Sequence, residues 1–455
     1  MRNIIARYKD IEDNFPASLR NGALIHFMYW LISDVDLIEI TTYSDDEAYT
    51  IFETMNDRGL SLSPTEMLKG YLLANIHHAG ERANANDLWK DRLLELLKLG
   101  KEEDADFFKA WLRAKYANSI REHKKDAEKK DFDIIGTTFH KWIRDESQRI
   151  GLKNSHDFYS FVVKHFNSFS KHYMRVRQAS SKLTPGLEYV FYNAHNNFTL
   201  QYPLVLAPLR SEDDLETVNR KIRLVAGYLD IFIARRAVNF RTLDYSSIVY
   251  TMFNLMKEIR ELDVPSLVQV LKDKVDRMDE KFDGIDHFHL NLWSKRYIHH
   301  ILARLTAHIE NQSNMIANFS NYISREIKKP YEIEHIWADH YEQHTDEFDT
   351  IEDFSQYRNR LGNLILLPGD INKSINDNCY EQKLPVYRSQ NVLARSLEEQ
   401  FYHNNPSFLT YKNRSELPFR PHSTFKKADI DARQELYRLI CEEIWSPSRF
   451  DRELV

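Results

Sequence analysis

Apolar positions along this chain recur mostly at helical spacing. Ala48, Ile51, Phe52 and Met55 share one period and stop at Asn56-Asp57-Arg58-Gly59, a turn signal. Ser63-Pro64-Thr65-Glu66 then reads as a capping box with proline at the first helical position. Met67, Leu68, Tyr71 and Leu72 mark one buried face of the helix it opens. Two helices across a short turn could form a DNA-reading helix-turn-helix, but a helical hairpin within a larger core is the commoner unit and is the reading taken. Phe107, Phe108, Trp111, Leu112 and Lys115-Tyr116 form an aromatic stripe that predicts core packing rather than a base-stacking platform. Arg121 to Asp133 is a charge run expected at a solvated helix end or linker. From Phe139 to about Ala307 the pattern predicts a helical bundle, clearest in Leu215, Val218, Ile222, Val225, Leu229 and Ile233.

The texture changes over the last 145 residues. Apolar runs shorten, and Tyr331–Ile336 and Leu364–Leu367 read as strands. The segment from Asp429 to Trp445 returns to helical spacing through Leu436, Leu439, Ile440 and Ile444, and is expected to pack back on the bundle or the strand-bearing unit. The predicted fold is therefore mainly α, with a small carboxy-terminal α+β unit. Its expected divisions are residues 1–80, a helical middle over 81–310, and 311–455.

Composition sharpens this only in places. Glycine (12) and proline (13) are scarce in 455 residues, as helix dominance requires. Cys379 and Cys441 match no zinc or redox spacing and are expected as reduced thiols in a cytoplasmic protein. No apolar stretch approaches the roughly 20 residues of a membrane span, so no membrane partner is expected. Net charge is −6, which argues against a nucleic-acid protein taken as a whole, but the charge is uneven. Residues 339–353 carry seven acids and no Lys or Arg, whereas 355–395 carry six bases against three acids. A local positive surface is what a polyanion would meet.

The candidate chemistry lies between those stretches. Glu334-His335 closes a β-branched run. Asn363 precedes a second run, and Asn372 opens a polar, helix-capable segment. Phosphodiester hydrolysis needs a base to deprotonate water and positive charge to meet the transition state. A histidine near neutral pKa suits the first task. Two oxygen ligands and several waters suit Mg²⁺ or Mn²⁺ for the second. His335 is thus the candidate base, Glu334 and Asn372 the candidate metal ligands, and Asn363 a candidate to orient the imidazole. Lys373, Lys383 and Arg360 are candidates to touch DNA. His335, His340 and His344, spaced by five and four, do not make a usual zinc set. His340 and His344 are expected to be solvated, and His77-His78 and His299-His300 to lie at the surface or a boundary.

The segments IEHI, RNRLGNLILLPGDINKSIND and YEQKLPVY resemble, in that order, the carboxy-terminal HNH domain of the GmrSD-type restriction endonucleases. EAYTIFETMNDRGLSLSPTEMLKGYLL resembles the closing part of the amino-terminal domain of the same family. The resemblance covers roughly the first 80 and last 150 residues. It implies a ββα-metal nuclease unit and a modification-dependent DNA endonuclease of phage defence. In it His335 is the general base, Glu334 and Asn372 hold one divalent ion, and Asn363 orients. The family's amino-terminal domain is a nucleotide-using, ParB-like module. Its Asp-Gly-Gln-Gln-Arg motif is not found in this chain, so NTP hydrolysis by this chain alone is not expected; either a separate protein supplies the missing half or the chain is a shortened reading of a longer protein. Many relatives follow the histidine with Pro-Gln, where this chain has Ile336-Trp337. The rival reading is a non-catalytic helical adaptor or sensor whose partner binds nucleotide or cuts.

Overall fold

A computed structural model describes residues 2–20, 22–36, 41, 62–122, 124, 127–317 and 319–454. The chain divides into two compact units, Met1–Ser61 and Leu62–Val455. The first contains helices Arg2–Asn14 and Ala23–Ser33. The expected hairpin partner from Ala48 to Met55, with its Asn56–Gly59 turn, lies outside the described residues. The second unit is a helical mass into which one two-stranded sheet is set. Among the described residues no helix is long and apolar enough to cross a membrane.

The helix Pro64–Ala74 starts as its sequence dictates. Ser63 Oγ accepts from Glu66 N at 3.2 Å, and Ser63 N donates to Glu66 Oε2 at 2.8 Å, so the reciprocal cap forms. Leu68 and Leu72 are buried below it. The aromatic stripe is core: Phe107, Phe108, Trp111 and Leu112 have no exposed surface. Trp89 stacks on Phe166 with ring centroids 4.5 Å apart, and Phe108 on Phe139 at 5.4 Å. Lys115 continues the stripe inward, and its ammonium donates to the Leu209 carbonyl at 2.8 Å.

The helix Leu215–Val238 buries Val218, Ile222, Val225, Leu229 and Ile233, while Leu215 at its first position is exposed. The stripe therefore begins one turn later than its sequence suggests. Against this helix lies Lys295–Gln312, which runs through position 310. Arg304 on it makes two hydrogen bonds to Asp230, at 2.8 and 3.1 Å, and Arg449 adds a third at 3.2 Å. His299 and His300 are not at a boundary but buried, because their helix is apolar on both of its packed sides.

The sheet joins β1 (Tyr331–His335) to β2 (Leu364–Pro368), antiparallel, with Ile333 opposite Leu366 and His335 opposite Leu364. Leu364 to Leu367 are fully buried, as a run apolar at successive positions demands. The tail helix Lys427–Ile444 packs on both bundle and sheet unit. Gln434 accepts from Gly362 N at 2.5 Å and donates to the Ile285 carbonyl, and Tyr437 donates to the Leu364 carbonyl at 3.1 Å. Gly362 is required by this approach: a Cβ there would lie inside the Ile430 carbonyl and Gln434 backbone.

Candidate functional site

β1 ends at His335, and alternation sends its last two side chains to opposite faces. Glu334 turns inward and is 2% exposed. There its Oε1 accepts from Lys383 Nζ at 2.7 Å and from Tyr387 at 3.1 Å. Lys383 and Tyr387 lie four positions apart on the helix Tyr380–Tyr387, which places both on one face. Lys383 Nζ also donates to the His335 carbonyl at 2.8 Å, so one ammonium spans the acid and the backbone of the next residue. Burial pushes the Glu334 carboxyl up and the Lys383 ammonium down, and their mutual attraction opposes both shifts. Lys383, expected on DNA, is thus an interior residue in this structure. A buried carboxylate needs a partner, and Lys383 supplies it.

His335 faces the other way and is half-buried. Its Nε2 lies 2.9 Å from Asn359 Oδ1. Asn359 Nδ2 donates to the Ser355 carbonyl at 2.9 Å, which fixes which end of the amide meets the ring. An amide oxygen only accepts, so Nε2 carries the hydrogen and Nδ1 is left with its lone pair. Burial and the nearby Arg358 lower the imidazole pKa to about 4, against the smaller opposing effect of the Asn359 bond.

Asn363, expected to orient His335, is fully buried and holds the two residues after it. Its Oδ1 accepts from Trp337 N at 3.1 Å, its Nδ2 donates to the Arg358 carbonyl at 2.7 Å, and its carbonyl accepts from Ile336 N at 2.9 Å. The side chain that meets the ring is Asn359, which sequence reasoning missed. Asn372 lies on the helix Gly369–Ile375 and donates Nδ2 to the Ile333 carbonyl at 3.1 Å, one residue before Glu334. No donor among the described residues takes its Oδ1 or Glu334 Oε2. A carboxylate oxygen and an amide oxygen are hard donors of the kind Mg²⁺ takes, but Glu334 is buried on the face opposite His335 and its other oxygen is held by Lys383, so the expected acid and base do not converge here.

The His335 face opens into a cleft of about 680 Å³ lined also by Leu292, Lys295, Arg296, Arg325 and Glu332. Lys295, Arg296 and Arg325 are exposed and form no ion pair among the described residues. Lys295 and Arg296 open the 18-residue helix Lys295–Gln312, whose first turn contains no acid. Helix dipoles favour acids there, so these bases add to a potential already positive. His195 and His299 line the same cleft without adding charge, since burial lowers both, His195 to about 4. Of the other expected DNA contacts, Lys373 is exposed, while Arg360 turns to Asp431 at 2.8 Å and over the Tyr357 ring. His344 is not solvated but buried, its ring 4.2 Å from Trp337, because the acidic loop folds over that indole.

The structure thus sets a neutral imidazole in a cleft lined by cations, while Glu334 lies on the other face of the strand end, paired with Lys383. Residues 275–438 match the family model for the GmrSD restriction endonucleases, C-terminal domain, and residues 1–73 that for the GmrSD restriction endonuclease, N-terminal domain. Together the two matches take in more than half of the chain, which belongs to the GmrSD restriction endonuclease family. The carboxy-terminal match begins well before the sheet and includes Lys295 and Arg296 as well as both strands. No curated protein and no solved structure matches the chain.

Proposed function

We propose that this chain cuts DNA by HNH-type hydrolysis at the end of β1, with His335 as the general base. The observation that carries this reading is the doubly anchored amide of Asn359. It fixes the His335 tautomer with Nδ1 unprotonated, on a side chain that lines a cleft with three exposed cations. The substrate backbone lies against Lys295, Arg296 and Arg325, whose charges replace released counterions. Nδ1 takes a proton from water as the water oxygen bonds to phosphorus. The bond to the 3′ oxygen breaks, and that oxygen is protonated from solvent, leaving 5′-phosphate and 3′-hydroxyl ends. Glu334 and Asn372 would hold one Mg²⁺ or Mn²⁺, which supplies positive charge for the departing oxygen when bound. Burial and Arg358 keep the imidazole unprotonated at physiological pH, its lone pair available, though as a weaker base than the near-neutral histidine the sequence led one to expect.

Modified DNA is the proposed natural target, the cytoplasm the proposed compartment, and a separate protein the proposed source of nucleotide-dependent control. The test is plasmid cleavage in Mg²⁺ or Mn²⁺, with and without nucleotide, by the unsubstituted protein and by His335→Ala. Cutting that vanishes in the variant, with ends that ligate directly, supports the mechanism; cutting that persists, or 3′-phosphate ends, overturns it. The adaptor reading requires that neither protein cuts and that neither binds the ion.

A further inference from the structure

Leu292 is 99% exposed, yet it stands on a turn tied by several hydrogen bonds. Asn291 Oδ1 accepts from Trp293 N at 2.9 Å and from Ser294 N at 2.8 Å. Ser294 Oγ accepts from Asn291 N at 2.9 Å and donates to the His289 carbonyl at 2.7 Å. Aromatic rings back the turn: Phe240 packs on His289 and Trp293, with centroids 5.1 and 5.8 Å apart, and Trp293 on Tyr297 at 5.0 Å. The turn cannot collapse to hide its leucine. Leaving such a side chain in water forgoes about 1.5–3 kcal/mol relative to burial.

Its position gives the exposure a use. Leu292 lines the cleft that contains His335, and Lys295 and Arg296 follow it three and four positions later. The turn is also stitched to the segment that orients the imidazole: Leu290 N donates to the Asn359 carbonyl at 2.7 Å, and Leu361 N to the Phe288 carbonyl at 3.3 Å. An apolar tip between cations fits a nucleic acid whose phosphates are held while one base step is pried apart. Proteins that kink duplexes do this with leucine and similar side chains, at a cost of a few kcal/mol per unstacked step. The exposed apolar surface is narrow, Leu292 backed by the partly exposed Trp293 and Phe240 and flanked by bases, and a protein partner would need a broader patch.

We propose that Leu292 is a wedge that enters duplex DNA from the cleft and opens a base step beside the phosphate presented to His335. This rests on the nuclease reading above. Opening the step bends the backbone toward the imidazole, and the rigid link through Asn359 keeps wedge and base in register.

The experiment uses the full chain carrying His335→Ala, with and without Leu292→Gln, on a plasmid-derived duplex in Mg²⁺. Permanganate reactivity of thymines reports unstacking wherever the protein sits, and filter retention reports binding. In parallel, cleavage is measured for Leu292→Gln and Leu292→Met in the otherwise unsubstituted protein, on matched duplexes and on duplexes with mismatched pairs. Permanganate-reactive thymines should appear with His335→Ala alone and be lost with Leu292→Gln, while retention changes less than about threefold. Cleavage of matched duplex should fall at least tenfold in Leu292→Gln, recover in Leu292→Met, and be restored by mismatches that are already unstacked. Unchanged permanganate reactivity, or a loss of cutting that mismatches do not rescue, overturns the wedge alone. Failure of the unsubstituted protein to retain or cut DNA overturns the nuclease reading, and the wedge with it.

Discussion

Lys383 Nζ lies 2.7 Å from Glu334 Oε1, with both side chains almost wholly removed from solvent. A pair this deep is strongly destabilising to break by removing one member, by about 3–5 kcal/mol, because the other is left as an uncompensated buried charge. Lys383→Met is therefore expected to lower thermal stability by several degrees or more, and to free the Glu334 carboxylate from its competitor. Calorimetry with Mn²⁺ on the folded variant should show ion binding at least as tight as in the unsubstituted protein. Loss of ion binding would mean that the ammonium positions the carboxylate rather than competes for it.

Asn359→Ala removes the acceptor that fixes the His335 tautomer while leaving Nδ1 in place. Outer partners of this kind typically contribute 10–100-fold, so cleavage should slow by about that factor with little change in DNA binding. Comparing single-turnover rates with filter-binding affinities separates the two. A purely structural role would alter both together or neither.

The His335 pKa of about 4 sets a pH window. Above about pH 6.5 the imidazole is neutral whether the chain is folded or not, and its contribution to stability is constant. As pH falls from about 6.5 toward 4, only the unfolded ring takes up a proton, so folding stability declines. The acid limb of cleavage should likewise lie well below 6.5. Melting curves of the protein and of His335→Gln from pH 7 to 4.5 test the first statement. A variant that loses as much stability over this range as the parent would refute it.

Lys295→Gln and Arg296→Gln each remove one cation from the cleft. If each meets one phosphate, the slope of log binding constant against log salt should become shallower by about 0.9 per substitution. Lys383 offers the contrast: sealed inside, it should leave that slope unchanged in any variant that folds. Titrations of one duplex from 50 to 200 mM salt read this directly.

Gly362→Ala tests the seam between the sheet unit and the tail helix. The added methyl must displace the backbone at Ile430 and Gln434, for which overpacking costs typically run about 1–3 kcal/mol. A lower denaturation midpoint with an unaltered His335 environment is expected, and unchanged stability would show that the helix is free to shift.

The two strands were legible because β-branched and apolar runs of the right length stand alone in a helical chain; the structure places them at Tyr331–His335 and Leu364–Pro368. Glu334, His335 and Asn372 could be proposed from order along the sequence, since a short strand–strand–helix unit leaves few places for them. Asn359 was not legible: it is one of two asparagines in Arg358-Asn359-Arg360-Leu361-Gly362-Asn363, and nothing local tells which meets the ring. Lys383 was misplaced because an exposed and a buried lysine look alike until a carboxylate is found to face it. Its spacing of four from Tyr387 was the available clue. The basic wall left a fainter mark, two cations where a helix start ordinarily carries acids.

A ribbon of two strands has two open edges, and open edges invite a stranger's backbone. Here side chains from elsewhere occupy the outward carbonyls: Asn372 and His299 on β1 at Ile333 and Tyr331, Asn391 on β2 at Leu366. The groups that shape the site therefore also cover the ribbon's edges, and substituting Asn372 would open the Ile333 carbonyl to another backbone as well as remove a proposed ion ligand.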